Sequence, residues 1–185
     1  MKKSIPFLIV LLCFLGQQSW SQMKVLKKAS SVDNSEIKVT TKKEVKVPQE
    51  IKTLPKDQLK TIKETYNWTK EQVLIVNFKG LKDECTFSIY DGLQATQDWF
   101  ENSVYPNVDL TDCRNIYVYA DKLYAKPILD FETHYDDVGH YFLKHFFNVK
   151  GTCYGVMIIN KKGEYLVESG EYNQYTINNM IQRLK

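Results

Sequence analysis

Val73-Leu74-Ile75-Val76-Asn77-Phe78 is the stretch whose reading decides the fold, because it is almost wholly apolar over the length of one strand. Side chains alternate faces along a strand, so a run with no polar face belongs to a central strand covered on both sides. A second run, Val156-Met157-Ile158-Ile159, is followed by Asn160-Lys161-Lys162-Gly163 and then Tyr165-Leu166-Val167-Glu168. That pattern is a hairpin, with Gly163 at a turn position that calls for positive φ. Asn115 to Ala120 reads as another strand. Between the strands, residues 87 to 104 place Ile89, Leu93, Phe100 and Val104 at helical spacing and are stopped by Pro106. Residues 135 to 147 repeat the helical period with Val138, Phe142 and Phe146. Pro55 opens an earlier helix with Leu59, Ile62 and Tyr66 on one face, and Asn173 caps a last one whose Ile177, Met180, Ile181 and Leu184 face inward. Strands separated by helices pair in parallel through right-handed crossovers, whereas the short turn makes the last two antiparallel. The expected fold is α/β, a mixed four-stranded sheet flanked by helices on both faces.

Outward from this body the composition changes. Lys2 and Lys3 precede an apolar run from Ile5 to Leu15, and Ser19-Trp20-Ser21 follows with small residues at its first and third positions. This is the pattern of a secretory signal peptide over residues 1 to 21, with cleavage expected before Gln22. The apolar run is too short for a permanent span, so no integral membrane segment is expected after cleavage. Leu12 precedes Cys13 where a lipoprotein signal requires a small residue, which argues against a lipid anchor. The expected location is periplasmic or extracellular. Residues 22 to 53 are rich in Lys, Ser, Thr and Val without helical period and read as a flexible basic arm, although Ile37 to Val47 alternates enough to serve as an edge strand. Residues 54 to 185 form the folded domain.

Charge divides along the same line. Residues 24 to 70 hold 12 Lys against 6 Asp and Glu, whereas residues 71 to 185 hold 11 Lys and Arg against 16 Asp and Glu. Nucleic acid is excluded as a partner by the export signal and by the acidic body. The basic arm suits a solvated spacer or loose attraction to an anionic surface or an acidic partner. Neither the identity of a protein partner nor the oligomeric state is legible.

The element order, with Leu74-Ile75-Val76-Asn77-Phe78 and Val156 to Glu164, resembles the thioredoxin-like superfamily over residues 68 to 185. The resemblance implies that the family's C-x-x-C pair falls near Lys82 to Thr86 and its cis-proline on Gly155. This chain has Lys82-Asp83-Glu84-Cys85 and Cys153-Tyr154-Gly155 at those places, so both signatures are missing and the active site is degenerate. The chain looks like a redox-silent, secreted branch of that superfamily.

Three cysteines follow the signal segment, and an oxidising compartment permits one disulfide. The strand that Cys153 introduces runs antiparallel to the one that Cys85 follows, which brings these two cysteines to the same end of the sheet. Cys113 enters a parallel strand and starts at the opposite end. Cys85 and Cys153 are therefore the candidate catalytic residues, as a working redox pair or with one reactive thiol. A structural disulfide or two unlinked core thiols are the alternatives. A helix N-terminus beside Cys85 would lower its pKa, while Asp83 and Glu84 push the other way. Lys79 and Lys82 are the nearby cations.

Asp130, His134, Asp136, His140 and His145 are metal-ligand types, and Asp136 and His140 would share a helix face, but no recognised ligand spacing occurs. No metal and no cofactor are expected. Tyr117 and Tyr119 share a strand face as core residues or as an open surface for a partner. The function expected on these grounds is that of an exported thioredoxin-fold module without the standard dithiol site, with a binding or structural role in the bacterial envelope. The competing expectation is a divergent thiol-disulfide oxidoreductase or peroxidase using Cys85 with Cys153.

Overall fold

The central run forms β2, Val73–Lys79, in a computed structural model that describes residues 49–85, 90–148 and 153–185. These belong to one compact unit, Val45–Lys185. The signal segment, the arm up to residue 48 and the edge strand expected at Ile37 to Val47 lie outside the described residues. Every residue from Val73 to Phe78 is buried. Val73 and Ile75 face a cluster built with α2 (Leu93–Trp99) and α5 (Gln174–Leu184). Leu74, Val76 and Phe78 face a second cluster with α1 (Lys56–Thr65) and α4 (Tyr141–His145). The result is a three-layer α/β arrangement, the sheet lying between two helical layers.

The sheet has six strands in the order β1 (Lys52–Thr53), β6 (Glu164–Ser169), β5 (Tyr154–Asn160), β2, β3 (Cys113–Tyr119), β4 (His134–Asp136). The four expected strands are its centre: β2 pairs in parallel with β3 (Cys113–Tyr119) and antiparallel with β5 (Tyr154–Asn160), which continues into β6 (Glu164–Ser169). Ile75 lies opposite Ile158 in this register. Gly163 has the expected positive φ, +88°, and the Asn160 side chain accepts from the N–H groups of Lys162 and Glu164 to close the turn. Asn173 caps α5 by accepting from Tyr175 and Thr176.

Two edge strands enlarge the expected four. Lys52–Thr53, the end of the arm expected over residues 22 to 53, forms β1 against β6. His134–Asp136 forms β4 in parallel with β3, where a helix from residue 135 was expected. The physical reason is the turn before it. Asp130 accepts from the N–H groups of Glu132, Thr133 and His134 at 2.8 to 2.9 Å, Phe131 adopts φ +58°, and Arg114 on β3 grips the Glu132 carbonyl. These bonds deliver residues 134–136 to the sheet edge as extended chain. The helix then starts only at Tyr141, where the Asp137 carboxylate accepts from Phe142 and Leu143 after two left-handed residues, Gly139 and His140. Phe142 is buried as expected, but Val138 is 58 % exposed instead of forming the helix face.

α2 runs from Leu93, the expected helix start at residue 87 and Ile89 lying outside the described residues, and widens into a π-helical turn, Phe100–Val104, before the short turn Tyr105–Asn107 around Pro106. A short α3, Lys122–Ala125, follows β3. No described helix is long and apolar enough to cross a membrane.

Candidate functional site at the carboxyl end of the central strand

Cys85 and Cys153 do meet. The amide of Gly80, just after β2, donates to the Cys153 carbonyl at 2.8 Å, and Cys153 lies near enough to Cys85 to raise the pKa of its thiol, with no disulfide between them. Cys113 pairs with Val73 at the other end of the sheet, where burial raises its pKa.

The local setting of Cys85 differs from the helix N-terminus expected for it. Lys82–Glu84 is a single 3-10 turn, Cys85 leaves it in extended conformation, and α2 does not begin until Leu93. Among the described residues no helix begins within a turn of Cys85, the distance over which a helix dipole acts. Burial first, then the contact with Cys153, then the Glu84 charge push the Cys85 thiol up to about 12. Lys82, one of the two nearby cations, lies over the Tyr124 ring at 4.0 Å and 3.9 Å from Asp91. A thiol kept neutral at ordinary pH is a poor nucleophile.

Gly155, the position aligned with the family's cis-proline, is not in an unconstrained loop. It lies within β5 opposite Phe78 and Ser169. A Cβ added there would stand 2.6 Å from both the Glu168 carbonyl and the Phe147 ring, and that ring is stacked on Phe78 at 4.3 Å. The glycine is required by close approach of backbone and ring.

The metal-ligand residue types are dispersed. Asp136 sits on β4 and pairs with Lys122 at 2.8 Å, while His140 precedes α4, so they share no helix face. His134 is buried, stacked on Tyr117 with its Nδ1 on Thr133 and Asp130. Among the described residues no group of His, Cys, Asp and Glu is arranged to hold a metal ion. Tyr117 and Tyr119 are buried in the core, which removes them as an open partner surface.

The larger feature at this end of the sheet is a cavity of about 680 Å³ between the sheet, α2 and α5. Its walls are Trp99, Phe100, Tyr117, Tyr154 and Tyr172, and Lys79 reaches it from the last position of β2. Burial lowers the Lys79 amine from its ordinary 10.5 to about 8, and among the described residues no carboxylate lies within ion-pairing distance of it. Beneath the cavity Asn77 is buried with its amide fully used. It donates to Asn115 at 2.7 Å and to the Ile116 carbonyl at 2.9 Å, and accepts from the hydroxyls of Tyr105 and Tyr172. The Tyr117 hydroxyl is buried and makes no hydrogen bond of normal geometry, although Asn115 is close enough to influence its ionisation.

The sequence carried a signal for this cavity. Asn77 and Lys79 continue the face of Val73 and Ile75, so the inward side of β2 turns from apolar to polar at its carboxyl end. A polar residue inside an otherwise apolar central strand is the mark of a buried network or a site. Comparison with family models, with curated proteins and with solved structures finds no match to this chain.

Proposed function

We propose that this chain is an exported thioredoxin-like module that works by binding in the bacterial envelope and does not catalyse general dithiol exchange. The sheet order around β2 supports the family reading, since the parallel β2–β3 pair and the antiparallel β5–β6 hairpin follow the element order that carried the resemblance. The observation that carries the functional reading is the setting of Cys85, which leaves a 3-10 turn in extended conformation beside Glu84 and Cys153, both of which push its thiol up along with burial. Efficient exchange needs a thiolate near ambient pH and access for a substrate backbone. Here the thiol is neutral, and Phe147 packs against the strand at Gly155.

An insulin-reduction assay of the full-length protein beside Cys85→Ser tests this reading. No turnover is expected from either protein. Turnover by the wild type that disappears in the variant would overturn it and establish the second reading, a divergent oxidoreductase or peroxidase in which Cys85 attacks and Cys153 resolves. What favours that second reading is the proximity of Cys85 to Cys153.

A further inference from the structure

We propose that the cavity between β2, α2 and α5 is a binding site for a small ligand with a planar apolar body and one anionic group, a carboxylate or sulfonate, held by the Lys79 ammonium. This deepens the binding-module reading, on which it rests, by assigning that binding to one site and one chemical class.

Three independent observations converge. The volume, about 680 Å³, and the walls of Trp99, Phe100, Tyr154 and Tyr172 suit a flat, drug-sized body, since such pockets are mostly apolar with a few placed polar groups. Lys79 places an amine there without an ion-pair partner among the described residues, and desolvation disfavours its charge. A half-buried cation held this way is unfavourable for folding unless something pairs with it, and a ligand anion would supply the missing partner. The Tyr117 hydroxyl, on a residue only 5 % exposed, lines the same cavity without a hydrogen bond of normal geometry. An acceptor on the ligand would satisfy it.

The remaining polar groups set the direction of entry. Glu171 lies at the α5 side, where it accepts from the Tyr154 hydroxyl at 3.4 Å. Its carboxylate repels an anionic head and directs it toward Lys79. The first amides of α5 are engaged by the Asn173 side chain, so the anion relies on the lysine instead of the helix terminus. Phe100 begins the π-helical turn, an irregularity that recurs at functional sites.

The test uses 1-anilinonaphthalene-8-sulfonate as an anionic aromatic probe and N-phenyl-1-naphthylamine as its neutral counterpart, with the full-length protein in calorimetry and fluorescence. Three proteins are compared: wild type, Lys79→Met, and Thr176→Trp, which fills the cavity from α5. Circular dichroism confirms that each is folded. The sulfonate should bind the wild type with one-to-one stoichiometry, about tenfold more weakly to Lys79→Met, as loss of one charge-assisted contact predicts, and not measurably to Thr176→Trp. The neutral probe should bind wild type and Lys79→Met alike and be lost only in Thr176→Trp. Absence of one-to-one sulfonate binding, or binding unchanged in either folded variant, overturns the proposal. Insulin turnover separates the two readings: turnover with intact probe binding removes the non-catalytic reading and leaves the site, whereas no turnover and no probe binding removes the site alone.

Discussion

Lys79 and Tyr154 stand opposite each other across the antiparallel pair β2–β5, one residue away from the Gly80–Cys153 hydrogen bond. The same strand ends thus carry the thiol pair and the floor of the cavity. Thiol chemistry and ligand binding can be tested separately because different side chains serve them.

Alkylation of Cys85 by iodoacetamide should be slow at neutral pH and should still be rising at pH 10. The sign follows from the raised pKa: the thiol binds its proton more tightly in the folded state, so thiolate forms only as pH approaches about 12. Mass spectrometry of trypsin-digested samples reads the rate at each cysteine. A plateau near pH 7 would mean an activated thiolate and would contradict the geometry.

Diamide, supplied as oxidant, should join Cys85 to Cys153 and leave Cys113 unpaired, because Cys85 lies near Cys153 while Cys113 stands at the other end of the sheet. The product loses two hydrogen atoms as diamide takes up the two protons and two electrons. A Cys113-containing disulfide within one chain would require rearrangement of the sheet ends and would refute the placement.

Lys79→Met should stabilise the protein near neutral pH by about 1–2 kcal/mol, since it removes a half-buried, unpaired charge. The folded amine has its pKa lowered to about 8 against an ordinary 10.5, so the folded state releases its proton first. Wild-type stability, relative to the variant, is therefore lowest below pH 8, rises with pH through the interval, and the advantage of the variant vanishes above about 10.5. Taking the difference cancels the opposite trend of Cys85, which weakens the fold as pH rises toward 12. Urea denaturation at pH 7, 9 and 10.5 measures this, and an advantage that grows with pH would show the sign to be wrong.

Asn77→Leu should destabilise by about 2–4 kcal/mol, because it leaves the buried Tyr105 and Tyr172 hydroxyls without their shared acceptor. Adding Tyr105→Phe and Tyr172→Phe should recover part of the loss, since replacing all partners by apolar groups removes the unsatisfied hydroxyls. Equal stability of the single and triple variants would mean that volume, not hydrogen bonding, dominates at this position.

Gly155→Ala should be more costly than an ordinary strand substitution, by about 2 kcal/mol or more. Its Cβ meets the Glu168 carbonyl as well as the Phe147 ring, and the carbonyl belongs to the neighbouring strand. Phe147→Leu in the same chain should relieve only the ring contact. Thermal unfolding of the single and double variants decides between strain from backbone and strain from ring.

The central strands, the Gly163 turn and the Asn173 cap were legible because each depends on neighbours in the chain: alternation over a few residues, one backbone conformation, one side chain bonding to the next amides. The signal-peptide reading of the first residues and the spacer reading of the basic arm rest on sequence pattern and composition alone. The sheet end shared by Cys85 and Cys153 also followed from strand direction. What only the tertiary structure decided involves partners remote in sequence. Arg114 and the Asp130 turn convert an apparent helix start into β4, and Asp137 delays α4 to Tyr141, although the helical spacing of Val138, Phe142 and Phe146 is intact. The thiol of Cys85 is raised by burial and Cys153, where local reading weighed a helix terminus that begins at Leu93. Asn77 and Lys79 were visible as polar residues on an apolar strand, but their meaning depended on α2, β5 and α5 closing over that face. Periodicity reports which face of an element is apolar; what covers that face, and whether an amine or a thiol beneath it loses its water, is set by the packing of distant segments.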